Sequence, residues 1–197
     1  MYKIHLHTPY WFSIIEVLIG MFVFSLGLVS IFALLMSSLN VNAYNKHAII
    51  ASNIARGNIE MIKNIRDTNY ENLRPWNSYD VSNLSIRFEN LKYYKISEND
   101  SGDIQLEELW NAIPEGESEL ANMGDMDSDW YRLCLNDMKY NYCSSSASSD
   151  KKTPYYSYVY FEEEENWVMK LTAKVIWFAR WYHDYEISTL ITDWQRL

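Results

Sequence analysis

The feature that most constrains this chain is the stretch Phe12 to Leu39, FSIIEVLIGMFVFSLGLVSIFALLMSSL. It is apolar on every side, contains no Pro, and carries a single charge, Glu16, near its start. A helix needs about 20 apolar residues to cross the hydrocarbon of a bilayer, and Val17 to Met36 is such a run. A helix on the surface of a soluble domain shows an apolar stripe, not an apolar circumference. The chain is therefore expected to be anchored in a membrane by one helix. A cleaved secretory signal is a poorer reading, because its apolar region is shorter and ends at a small-residue site, whereas here Leu39-Asn40-Val41-Asn42 follows.

Glu16 sets this stretch apart from a plain anchor. An ionisable residue costs roughly 3 kcal/mol at the centre of an inserted helix and less near its edge, so it points to function. Phe12-Ser13-Ile14-Ile15-Glu16-Val17-Leu18-Ile19 resembles the amino-terminal signature of type IV pilins and type II secretion pseudopilins. In that family a prepilin peptidase cuts before the Phe, methylates the new amine and leaves a Glu as the fifth mature residue. Phe12 and Glu16 fit that spacing. Where the family has Gly or another small residue before the cut, this chain has Trp11. The resemblance implies processing at Trp11 and Phe12 and an assembly role for Glu16.

The remainder is long enough for one further domain. Of 197 residues, 48% are hydrophobic, which leaves core material beyond the anchor. The net charge is −9 with scattered cations, and nucleic-acid binding calls for a basic face, so nucleic acid is not expected as a main partner. Positive-inside counting is close to a tie, with Lys3 before the anchor and Lys46 and Arg56 after it. The resemblance supplies the direction: amino terminus in the cytoplasm, bulk outside the inner membrane.

Four segments are expected. Residues 1–11 form a leader, 12–39 a transmembrane or filament-core helix, 40–72 its amphipathic continuation, and 73–197 a β-rich domain with an acidic variable loop at 97–129. In the continuation, Tyr44, Ala48, Ala51, Ile54, Ala55, Met61, Ile62 and Ile65 fall on one face at 100° per residue. Gly57 is its weak point, at about 1 kcal/mol relative to Ala, and the helix should stop before Pro75. Residues 55–69 and 167–194 also resemble minor pseudopilin-like proteins.

In the β-rich part, Val81 to Ile96 is partly strand-like, and the apolar patch Ile104 to Trp110 reads as a short helix within the acidic loop. Trp130 to Asn136 and Asn141 to Cys143 read as a hairpin. With a four-residue turn, Asp137 to Tyr140, it sets Cys134 opposite Cys143 and favours a disulfide. Ser144 to Thr153 reads as an exposed linker. Tyr155 to Phe161 is a strand and Glu162 to Asn166 a charged turn. Trp167, Met169, Leu171, Ala173, Val175 and Trp177 then form an apolar face at period two, and a turn around Tyr182 to Asp184 leads to a last strand. A one-faced antiparallel sheet needs a cover, and the one-sided helix is the available one. The expected fold is α+β, a long N-terminal helix packed on a C-terminal antiparallel β-sheet, as in pilins.

Chemistry-bearing motifs are few. The His residues lack zinc-ligand spacing, and no phosphate loop, nucleophile elbow or zincin helix appears, so no enzyme and no cofactor are expected. Asp125, Asp127 and Asp129 have the spacing of the first half of a calcium loop, but Trp130 and Asn136 stand where an EF-hand needs Gly and Glu. A looser calcium site there stays open, since some pseudopilins bind calcium in their loops. Gly20 and Gly27 share a helix face with Ser13 and would permit close helix approach. The Tyr and Trp abundance suits a sheet core better than saccharide or single-strand stacking.

The function implied by the resemblance is structural: a minor pilin or pseudopilin that joins a filament through its N-terminal helix. Its partners would be other subunits, the prepilin peptidase and an inner-membrane assembly platform. The alternative is a single-pass anchored binding or adhesion module that does not polymerise.

Overall fold

The computed structural model describes residues 13–81, 84–98, 102–109, 132–136, 139–143, 151–165, 167–178 and 182–193. The chain divides into two compact units between Asn45 and Lys46. One helix, α1 (Ile14–Glu71), has 58 residues and passes Gly57 without a break. It ends in a Schellman motif: Arg74 N–H donates to the Asn69 carbonyl at 2.8 Å and Leu73 N–H to that of Tyr70 at 3.1 Å. Leu73 occupies the left-handed position, φ 55°, that Gly usually takes. Pro75, two residues further on, cannot continue the helix.

The second unit carries an antiparallel sheet, and the α+β arrangement expected from the sequence is present. A small hairpin joins β1 (Ser78–Val81) and β2 (Leu84–Arg87). The main sheet contains β3 (Tyr93–Glu98), β4 (Ile104–Leu109), β5 (Arg132–Asn136), β6 (Lys139–Tyr142), β7 (Lys151–Glu165), β8 (Val168–Phe178) and β9 (Tyr182–Thr192). The 15-residue β7 organises it. One edge pairs with β8, from Tyr155 against Trp177 to Glu165 against Val168. Its other edge is divided between two hairpins. β5, extended by β6, takes the amino-terminal part, and β3, extended by β4, meets Val159 and Tyr160. Pro154 has no N–H to give to a ladder. It lies where the β5 register breaks, between the pairs Arg132–Tyr156 and Cys134–Lys152, and before the β8 ladder begins.

Strand periodicity decides which side chains meet the helix. Tyr155, Val159 and Phe161 of β7 join Leu171, Ala173, Val175 and Trp177 of β8 in one core with Ala51, Ala55, Ile59 and Ile62 of α1. The alternate residues are not solvent-facing throughout. Tyr156, Tyr158, Ile176 and Leu109 form a second buried cluster, flanked by Tyr93, Tyr160, Phe178 and Tyr182.

Several local expectations are corrected. Residues 104–109, expected as a short helix in the acidic loop, are β4, whose six residues pair along β3. Lys151 to Thr153, read as linker, belong to β7, and Thr153 Oγ1 donates to the Leu133 carbonyl at 2.5 Å. Glu162 to Glu165 are strand and not turn, because the ladder to β8 sets Glu162 against Lys170, whose ammonium reaches it at 2.8 Å. Trp167 consequently forms the bend itself, at φ 74°, and lies outside the buried face. Tyr182 to Asp184 are likewise strand, paired with Phe178, Trp177 and Ile176. Tyr44, placed on the apolar face, is exposed.

Candidate functional site

The helix start is built by Ser13. Its carbonyl accepts the N–H groups of Glu16 at 2.9 Å and Val17 at 3.2 Å, so Ser13 caps the helix and Glu16 is its third residue. Ser-x-x-Glu is the capping-box pattern, in which the carboxylate bonds back to the cap N–H. That return bond is not made: among the described residues, the Glu16 carboxylate has no hydrogen bond or ion pair. In the first turn its charge complements the positive end of the helix dipole.

Around Glu16 the helix is apolar and exposed. Ile14, Phe22, Val29 and Leu34 are 81%, 65%, 67% and 72% exposed. Among the described residues, α1 is the helix long and apolar enough to cross a membrane. Two hydroxyls in this stretch bond to its own backbone, Ser25 on the Met21 carbonyl at 2.7 Å and Ser30 on that of Leu26 at 3.0 Å, an arrangement that suits a helix with no water around it. Among the described residues, a side chain at Gly20 or Gly27 would meet nothing within 4 Å.

In the second unit the two cysteines are brought together. Cys134 and Cys143 are bonded, with Cα atoms 5.0 Å apart. They are not directly opposite. The register runs from Asn136 against Lys139, not from Asn136 against Asn141, and so sets Cys134 against Asn141. Cys143 is two residues beyond Asn141 on the same face, a diagonal neighbour. Its N–H donates to the Arg132 carbonyl at 3.0 Å, which holds it there.

A buried polar chain ties this hairpin to the helix. Asn58 Nδ2 donates to Ser157 Oγ at 2.7 Å, and the Ser157 carbonyl accepts Tyr142 Oη–H at 2.9 Å. Burial pushes the Tyr142 phenol far above its ordinary value, with the Ser157 and Ile96 hydrogen bonds acting the other way. Nearby, His47 Nδ1 and Tyr155 Oη lie 2.8 Å apart, and burial raises Tyr155 to about 12. The sequence reading missed Asn58, although its position three residues after Ala55 and four before Ile62 puts it on the buried face.

The remaining candidates are not brought into a site. Trp11, Phe12, Asp125, Asp127 and Asp129 lie outside the described residues, and among those described no cluster of His, Cys, Asp and Glu could hold a metal. A cleft of about 540 Å³, which the sequence did not announce, opens where the end of α1 meets the β7–β8 bend, with Trp76, Arg87, Glu163 and Trp167 in its lining. Compared with family models, with curated proteins and with solved structures, the chain matches none.

Proposed function

We propose that the chain is a minor subunit of a type IV pilin-like filament, either a pilus or a type II secretion pseudopilus, with a structural and not a catalytic role. The observation that carries this reading is Glu16, a carboxylate without a partner among the described residues, in the first turn of an apolar helix. Burying such a charge alone costs several kcal/mol, so a packed helix bundle must supply it with a cation. The Phe12 signature names one: the methylated amine released by cleavage after Trp11, on the same or a neighbouring subunit. Before assembly the subunit resides in the inner membrane with its sheet unit outside the cytoplasm. Prepilin peptidase, an assembly platform and other subunits are its partners.

The test is incorporation. Glu16→Gln keeps size and helix propensity but removes the charge, so it should insert in the membrane and fail to enter filaments or crosslink through residues 12–39. Incorporation at the wild-type level would overturn the proposal. Mass spectrometry of the membrane-extracted chain reads the second element, a mature terminus at Phe12.

A further inference from the structure

The last strand leaves one edge of the sheet open. Among the described residues β9 pairs with β8 alone. Its 11 residues contain no Pro, no Lys and no bulge, the devices that usually blunt an edge. Which of its backbone groups are free follows from one bond. Asp193 N–H donates to the Trp167 carbonyl at 3.1 Å, one step beyond the pair Val168–Thr192. Bonded and non-bonded pairs alternate in an antiparallel ladder, and the register runs unbroken to Tyr182 against Phe178. The odd-numbered residues of β9 therefore turn N–H and C=O to β8, while Asp184, Glu186, Ser188 and Leu190 turn theirs to the open edge. The side chains of the same four residues are exposed.

The side chains decide what can pair there. On the helix side of β9, Tyr185 and Ile187 are partly buried against the core, so a strand laid beside them extends that core with apolar residues. On the other side stand two exposed carboxylates. Asp184 lies 3.5 Å from Lys174 Nζ, and Glu186 accepts Tyr160 Oη–H at 3.3 Å. They repel an acidic strand and attract a basic one. A second copy of this chain does not meet these conditions. Two β9 edges joined about a two-fold axis normal to the sheet would set their covering helices antiparallel, whereas helices anchored in one membrane run parallel. Joining β9 to the opposite edge, β4, keeps the helices parallel but brings up another acidic strand, with Glu107 and Glu108.

We propose that the β9 edge takes up an extended segment of another protein. The segment continues the antiparallel sheet, with Lys or Arg side chains beside Asp184 and Glu186 and apolar ones beside Tyr185 and Ile187. The site is independent of Glu16 and of filament assembly; only the exclusion of a second copy uses the membrane anchor.

Titration calorimetry of the detergent-solubilised full chain with a capped nonapeptide of alternating lysine and valine tests it. This peptide should bind saturably and at least ten-fold tighter than its glutamate–valine counterpart. Ser188→Pro removes an N–H that the β8 ladder does not use and leaves every charge in place, so it should weaken binding at least ten-fold without lowering the Tm. The lysine–valine peptide with its lysine amides N-methylated should not bind, which keeps the test valid if the Pro variant misfolds. Glu186→Lys should narrow the preference between the two charged peptides several-fold. Binding that survives both Ser188→Pro and N-methylation is charge attraction alone and would overturn the proposal, as would no binding of the lysine–valine peptide. Self-association of the full chain that Ser188→Pro abolishes would make a second copy the occupant and overturn it equally.

Discussion

Asn58 on the helix and Ser157 on the central strand are joined by a 2.7 Å hydrogen bond between side chains that are 4% and 1% exposed. It is a polar contact inside an interface built mainly of apolar and aromatic side chains. A buried polar group without a partner is costly, so the pair specifies how the helix seats on β7 more than it adds net stability. Asn58→Ala should destabilise the second unit by ~1–3 kcal/mol, and Ser157→Ala by a similar amount. The double variant should cost less than the sum, because each single change orphans the other group. Urea unfolding of all three reads the coupling; strict additivity would mean that the bond does no specifying.

Removing a methyl-rich side chain from the same interface acts differently. Ile62 is fully buried against the sheet, and Ile62→Ala should cost about 2–5 kcal/mol through lost transfer energy and the cavity left behind. Loss of under 1 kcal/mol would show that the helix face is not sheet-covered in solution.

The Cys134–Cys143 bond closes a short loop of sequence separation 9. Cys143→Ser should lower stability by roughly 2–3 kcal/mol in the chain-entropy account. Alkylation of the oxidised protein without reductant should label neither cysteine; labelling of both would refute the pairing.

Alkaline pH should unfold the second unit before most side chains are affected. Burial raises Tyr79 and Tyr155 from 10 to about 12. Their folded values lie above the unfolded ones, so between about pH 10 and 12 the folded state holds protons that the unfolded chain releases. Stability is then intact below pH 10 and falls as pH rises through that window. Circular dichroism against pH reads it, and Tyr79→Phe should reduce the slope. A flat profile to pH 12 would contradict the burial of these phenols.

Leu73 offers a stabilising change. Leu73→Gly relieves a left-handed Leu, about 1–2 kcal/mol, against an unfolded-state entropy cost of about 0.5–1 kcal/mol. A net gain of ~0.5–1 kcal/mol is expected in urea unfolding; a loss would mean that the Leu73 side chain contributes packing that its exposure conceals.

Much of this protein is legible in one dimension. Apolar residues with no polar face, from Val17 to Met36, determine a lone apolar helix. Period-two alternation from Met169 to Trp177 determines a strand and the face it turns to the helix, though not that Thr172, Lys174 and Ile176 opposite are buried too, and Ala51, Ala55 and Ile62 at helical spacing determine what covers that face. These are local periodicities, and physics reads them without knowing what lies across from them. Boundaries and registers were decided elsewhere. Glu162 to Glu165 carry every local mark of a turn, yet the ladder to β8 and the ion pair with Lys170 keep them extended and push the bend onto Trp167. Ile104 to Leu109 became strand because β3 offered an edge. Asn58 is polar by composition and buried because Ser157 meets it. The division of one edge of β7 between two hairpins depends on contacts among segments far apart in the chain, and no window along the sequence contains both partners. The cleft arises for the same reason: it is bordered by a helix end and a hairpin bend more than ninety residues apart, which only the sheet brings together.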